Sequence, residues 1–410
     1  MKKVLSIICA LCIVTFAFAE IDPPHRYFEI GTEVHVGVSN NWFSVPDFFQ
    51  ETLVVDLNKM ADNLSSGLTL DALLDARVNV AINGGKVFRM NIFAGAYGQG
   101  LVNISQEMLE FLANGNANTP NNTITAKLGT DINAYVEAGV RFQSIIKKLG
   151  ISVTPTVFVP VAYVPQVVAT GKVEPQEDGS MIATGKADIK AYSVVPLNDP
   201  TNIDINALLK DIGVDFSIGA QYAIFPSLDV GLEVLHIPAL AASLRNETSF
   251  VASADYKVNP VLNSAMGDTD TDGKYFEGSY EMSEITYTTL TDPKKIRRPI
   301  EAVLMTEWRP FGEWFDVNGS VGYVFGENHN FKYALGAGFH LLRMSRLGGH
   351  MLDFNIKSGY QNRIWTQQAE LIWNLRAFEL EFNVSSRSAN FLSSFMGTGL
   401  GAGFALRVGF

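Results

Sequence analysis

The stretch Leu400-Gly401-Ala402-Gly403-Phe404-Ala405-Leu406-Arg407-Val408-Gly409-Phe410 alternates without error. Leu400, Ala402, Phe404, Leu406, Val408 and Phe410 share one parity, and Gly401, Gly403, Ala405, Arg407 and Gly409 the other. Successive side chains of an extended strand point to opposite faces, so one face is an unbroken apolar row and the other is small or charged. A strand with lipid on one side and a polar interior on the other has this pattern.

The alternation recurs upstream. Phe28, Ile30, Val34, Val36 and Val38 stand against Glu29, Gly31, Glu33, His35 and Gly37. Phe88, Met90, Ile92, Ala94 and Ala96 stand against Arg89, Asn91, Phe93, Gly95 and Tyr97. Similar rows occupy Phe331–Phe339, Leu352–Ile356 and Phe378–Val384. A soluble β-sandwich with one buried face is the competing reading, but its strands average about five or six residues. The longer rows here suit the roughly 9–11 residues of a tilted membrane strand. Phe410, with Val408 and Leu406 on the same row, also resembles the C-terminal signal of bacterial outer-membrane proteins. That resemblance implies the barrel-assembly machinery and outer-membrane lipid as partners.

The other end of the chain agrees. Lys2 and Lys3 precede an apolar stretch from Val4 to Phe18, and Ala17-Phe18-Ala19 is a small-x-small cleavage site. Residues 1–19 therefore read as a secretory signal peptide, with 20–410 as the mature barrel. Both cysteines, Cys9 and Cys12, lie in that signal, so the mature chain offers no disulfide, zinc-thiolate site or cysteine nucleophile. With 42 acidic residues against 31 basic ones, the chain lacks the basic footprint of a nucleic-acid binder. No mature segment reads as a transmembrane helix; Pro155, Pro160 and Pro165 interrupt the closest candidate.

Fourteen antiparallel strands are expected, at about 27–38, 75–83, 87–98, 132–142, 151–163, 214–225, 228–238, 300–309, 314–325, 331–342, 350–361, 364–375, 378–387 and 400–410. Sixteen stay open, because 167–195 and 248–290 hold further strand-like stretches, read here as hairpins above the membrane. Periplasmic turns are short, as at Asn83-Gly84-Gly85-Lys86 and Arg376-Ala377. Long outer loops fall at about 39–74, 99–131, 164–213 and 239–299. Trp308, Phe311, Trp314, Phe315, Trp373, Phe378, Tyr222 and Phe225 flank the short turns as an inner aromatic girdle.

The outer loops carry the candidate site. Residues 46–64 read as an amphipathic helix with Phe49, Leu53, Leu57, Met60 and Leu64 on one face. Phe48 adjoins that face. Residues 103–113 form a second helix with Met108, Phe111 and Leu112, capped by Asn103 or Ser105. A third is expected over 204–212. Such faces either pack on one another as a lid or line an apolar cargo pocket. Charged residues of both signs, among them Glu33, Arg77, Glu137, Arg141 and Arg407, fall at inward parity. They are either structural ion pairs or the lining of a charged conduit. Asp268, Asp270 and Asp272 match the front half of a calcium loop, but Ser279 stands where the bidentate Glu belongs. An exposed acidic loop is the simpler reading, so no metal is assigned. No paired nucleophile and base points to an enzyme, and nothing calls for a cofactor or sets an oligomeric state.

Fourteen strands with helices in the long outer loops resemble the FadL-type transporters of hydrophobic compounds, spirochaetal members included. The resemblance spans the whole mature chain and rests on architecture. It implies import of hydrophobic or amphipathic cargo, such as long-chain fatty acids, with a lateral exit through a kink in an early strand. Gly95 to Gly100 is the place for that kink. Two features depart from the family: only Glu20 to Arg26 precede the first strand, and no Asn-Pro-Ala plug motif occurs. The segment 46–64 is the candidate substitute plug. A diffusion porin for small polar solutes and a surface adhesin or antigen are the alternatives.

Overall fold

The structure is a computed structural model that describes residues 26–43, 56–64, 67–84, 87–114, 126–165, 169–176, 180–196, 210–258, 276–325, 330–343, 350–361, 364–388, 390–397 and 399–410. Alternating apolar and polar residues form strands, and each hairpin partner is the next alternating run. β1 (Phe28–Asn40), β2 (Leu68–Gly84), β3 (Phe88–Ile104), β4 (Ala126–Ile146) and β5 (Leu149–Val164) make consecutive antiparallel pairs. β6 (Ala169–Pro175) and β7 (Met181–Ser193) leave the wall as a hairpin. β8 (Gly213–Phe225) rejoins it beside β5, followed by β9 (Leu228–Leu240). β10 (Ala242–Val258), β11 (Phe276–Met282) and β12 (Thr286–Ile296) leave it again. β13 (Glu301–Trp308) returns beside β9. β14 (Phe315–Val324), β15 (Asn330–Arg343), β16 (His350–Gln361), β17 (Ile364–Asn374), β18 (Phe378–Ser388) and β19 (Gly399–Gly409) complete the wall.

β19 then pairs with β1, from Glu29 opposite Gly409 to Ser39 opposite Gly399. The wall is thus a closed antiparallel barrel of fourteen strands, the number expected. Closure leaves no unpaired sheet edge in the hydrocarbon, where an unsatisfied backbone group costs several kcal/mol. The stretches left out of the strand count do form hairpins. β7 pairs with β10 along its length, and β11 and β12 add to the far side of β10. They build an antiparallel outer sheet at the outer end of the wall, continuous with it through the β4–β6 and β5–β7 pairs.

Several strands run longer at their outer ends than expected. β2 begins at Leu68 because its upper polar side chains have partners: Asp71 meets Arg387 at 2.9 Å, and Thr69 accepts from Asn103 at 2.9 Å. Asn103 therefore belongs to β3 and not to a helix cap. β3 itself pairs with both neighbours from Phe88 to Ile104 with no register shift, so Gly95 to Gly100 supply no kink.

The outward rows are apolar and exposed around the barrel, including Val34, Val136, Val153, Leu232, Leu304, Val321, Leu335, Phe354, Phe382 and Phe404. That belt is what a bilayer requires as solvent. Aromatic side chains flank it. Phe311 stacks on Trp314 at 5.9 Å beside the β13–β14 turn, and exposed Trp308, Trp373, Tyr222 and Phe225 share that end. Tyr333, Tyr360, Trp365 and Phe391 form a second cluster at the opposite end.

Candidate functional site

At the outer rim two short helices sit over the ends of β1 to β4. α1 (Leu57–Asn63) starts at Asp56, whose side chain accepts from the Lys59 amide at 3.1 Å. α2 (Gln106–Asn114) starts after Ser105, whose carbonyl accepts from the Met108 and Leu109 amides. The chain turns from α1 into β2 at Gly67, where φ is +81° and a Cβ would collide with the Ile104 carbonyl. Only glycine takes that backbone conformation so near a neighbouring strand.

The helices close on a small apolar cluster. Met60, Ala61, Leu64, Leu68 and Leu109 are buried in it, Met60 with 2% exposure. Trp42, Phe43, Leu57, Ile104 and Ala113 pack partly buried around it. Leu57 and Met60 of the candidate cargo residues thus meet in one cluster, while Met108 is half-buried on α2. Phe48, Phe49 and Leu53 lie outside the described residues, as do the side chains of Phe111 and Leu112 within α2. Asp268, Asp270 and Asp272, and the third expected helix up to residue 209, also lie outside them.

Below this rim the lumen carries an aromatic row that the inward-charge reading did not include. Tyr97 of β3, Tyr135 of β4 and Phe158 of β5 stand at luminal positions on adjacent strands. Tyr97 stacks on Tyr135 at 6.2 Å, and Tyr135 meets Phe158 edge-on at 5.9 Å. Phe93, two same-face steps along β3 from Tyr97, lies under the Arg77 guanidinium at 4.9 Å. The signal was present in the sequence: Phe93 and Tyr97 occupy the parity of Arg89 and Asn91. Ala242, Leu244 and Ile296, from the base of the outer sheet, bury against Tyr135 and Phe158. The base of that sheet therefore leans over the lumen beside β4 and β5; most of the candidate plug segment 46–64 lies outside the described residues.

Charged residues at inward parity are tied across strands. Arg77 of β2 reaches Glu137 of β4 at 3.0 Å, over β3. Arg141 of β4 reaches Glu233 of β9 at 3.1 Å. Arg407 bonds Glu379 at 2.5 Å and Glu381 at 2.9 Å on β18. Lys332 meets Glu301 at 2.6 Å. Arg298, just before β13, grips Asp215 of β8 with two hydrogen bonds of 2.7 and 2.8 Å and also meets Glu137. A guanidinium presents a planar fork that matches a carboxylate in this way. Arg26 closes the short-turn end of the barrel, with Glu29 at 2.7 Å and the Asn374 side chain at 2.9 Å.

The strand carrying Leu406, Val408 and Phe410 forms the closing seam. Phe410 accepts from the Tyr27 and Phe28 amides, and its ring lies 5.8 Å from that of Phe28. The ring is otherwise exposed, as is Val408, while Leu406 is half-buried.

No family model matches this sequence, and no curated protein does. Solved structures do. The Ralstonia pickettii toluene transporter TbuX aligns with 94% of this chain and 90% of its own at TM-score 0.45 and 8% identity. The Pseudomonas putida toluene transporter TodX aligns with 94% and 91% at TM-score 0.44 and 8% identity. A Pseudomonas aeruginosa FadL homologue aligns with 93% and 89% at TM-score 0.41 and 8% identity. The chain is similar in architecture to FadL-type barrels.

Proposed function

We propose that this chain is an outer-membrane transport protein for hydrophobic or amphipathic molecules, such as long-chain fatty acids, exported with a signal peptide over residues 1–19. The observation that carries the reading is the apolar surface at the entry. The α1–α2 cluster keeps Trp42, Phe43 and Leu57 partly open at the rim, and aromatic side chains stand at luminal positions below it. A pore for small polar solutes needs neither. Each large apolar side chain left in water forgoes roughly 1.5–3 kcal/mol, so a rim of them favours apolar cargo. The charged lining favours the porin alternative. Its charges are paired with one another, however, which weakens the field a passing solute meets. An amphipathic molecule suits an apolar entry followed by a polar lumen.

The test pairs Leu57→Asp with Met108→Asp. The expected result is loss of labelled fatty-acid or hydrocarbon uptake by cells, with heat-modifiable gel migration showing a folded barrel. Size-dependent sugar flux through purified protein in liposomes, without saturable binding of apolar ligands, overturns the reading in favour of a porin. A folded barrel with neither activity favours the surface-antigen alternative.

A further inference from the structure

At the periplasmic mouth, β14, β15 and β16 bring four ligating side chains together. His340 of β15 has Nε2 2.6 Å from Asp316 of β14 and Nδ1 2.7 Å from Asp353 of β16. His350, at the start of β16, has Nδ1 4.0 Å from the same Asp353 oxygen, and its ring stacks on that of His340 at 5.2 Å. The transport reading makes no use of this group.

We propose that His340, His350 and Asp353 bind one divalent transition-metal ion of the zinc, nickel or copper class. Their ligand atoms all lie within 4.8 Å of one another. Two imidazoles and a carboxylate are a donor set such ions take. Zinc bonds of about 2.0–2.2 Å put two donors on one ion roughly 3.3 Å apart. The separations of 2.7 and 4.0 Å straddle that value, so small side-chain rotations converge the donors.

The hydrogen bonding supports a cation at this point. A neutral imidazole has a single N–H. If Asp316 accepts it from Nε2, Nδ1 faces Asp353 lone pair to lone pair at 2.7 Å, a contact that a cation bound beside both donors relieves as they move apart. Asp316 then plays the orienting part that a carboxylate commonly has behind a metal-bound histidine. A doubly protonated His340 is the other way to satisfy both contacts, and it does not involve His350. Three protein donors also leave one position open for water or a solute. Occupancy ties the end of β15 to the start of β16, with Asp316 of β14 behind His340.

The experiment uses the full mature chain in detergent, stripped with a chelator and titrated with zinc chloride in a calorimeter. The expected result is saturable binding of a single ion and a rise in the temperature at which the barrel loses its folded gel migration. His350→Ala is expected to abolish saturable binding while folded migration persists, and His350→Gln repeats the test with a similar side-chain size. Asp316→Asn is expected to weaken binding about 10–100-fold. Absence of saturable binding by the wild-type chain, or equal affinity in both His350 variants and wild type, overturns the proposal and leaves an imidazolium ion pair. Neither outcome bears on cargo uptake.

Discussion

The two arcs of the barrel are built differently. From β13 through β19, β1 and β2 to β4, each neighbouring pair holds one register. The β4–β5 pair shifts at Ala134/Tyr135, and the β8–β9 pair shifts at Val214/Asp215, Phe216/Ile218 and Ala223/Phe225. The irregular arc is also where the outer sheet emerges, where Tyr135 and Phe158 pack inward, and where Arg298 crosses to Asp215 and Glu137. In the regular arc an unbroken ladder sets the register, and charged pairs such as Arg387–Asp71 and Arg407–Glu379 add to it. The bulged arc depends on contacts between residues far apart in sequence, because each register shift gives up ladder bonds that something else must replace.

Arg298→Ala should break this arrangement most. It leaves Asp215 and Glu137 facing each other without the cation they share, and removing one partner of a buried pair costs about 3–5 kcal/mol. The expected readout is a marked drop in the temperature at which folded gel migration is lost. Arg407→Ala, whose side chain keeps 26% exposure in the regular arc, should lower it less. If the two variants melt alike, the division between the arcs fails.

Phe410→Ser tests the seam of the regular arc. It removes a ring contact with Phe28 of about 0.5–1.5 kcal/mol and the terminal member of the apolar row. We expect reduced folded yield in cells, measured as the heat-modifiable fraction. Wild-type yield would mean that the terminal ring is no assembly signal and that the ladder suffices.

The smallest effect is expected at the rim. The Lys59 amide hydrogen-bonds Asp56 and holds its carboxyl below the usual carboxylate range. The lowered value means that this contribution to α1 is present above the ordinary carboxylate pKa and is lost as pH falls through the depressed one. Hydrogen exchange at the Met60 amide should therefore be less protected at acid than at neutral pH, relative to the intrinsic rate. Asp56→Ala should remove that difference. An unchanged difference would assign it to another group.

Strand positions, their count and the outer hairpins were legible because alternation is a local signal that survives wherever one face meets lipid. Helix boundaries were less so: Asn103 reads as a cap by residue type, but the Thr69 hydroxyl takes its side chain into the β2–β3 ladder region. The aromatic row was half-visible, since Phe93 and Tyr97 break the polar parity of β3, but nothing local joins Tyr97 to Tyr135 and Phe158.

The sequence by itself determined that the chain alternates along strands of bilayer length, which face of each strand meets lipid, and that the strands close as an even antiparallel set. These follow from a two-residue period and from hairpin turns, both readable within a dozen residues. Only the tertiary structure decided which inward charges pair, that Ala242, Leu244 and Ile296 lean over the lumen, and that His340, His350, Asp353 and Asp316 converge at one mouth. Those depend on barrel curvature and stagger. Curvature and stagger set which positions on separate strands face one another across the interior, and no local pattern carries that information.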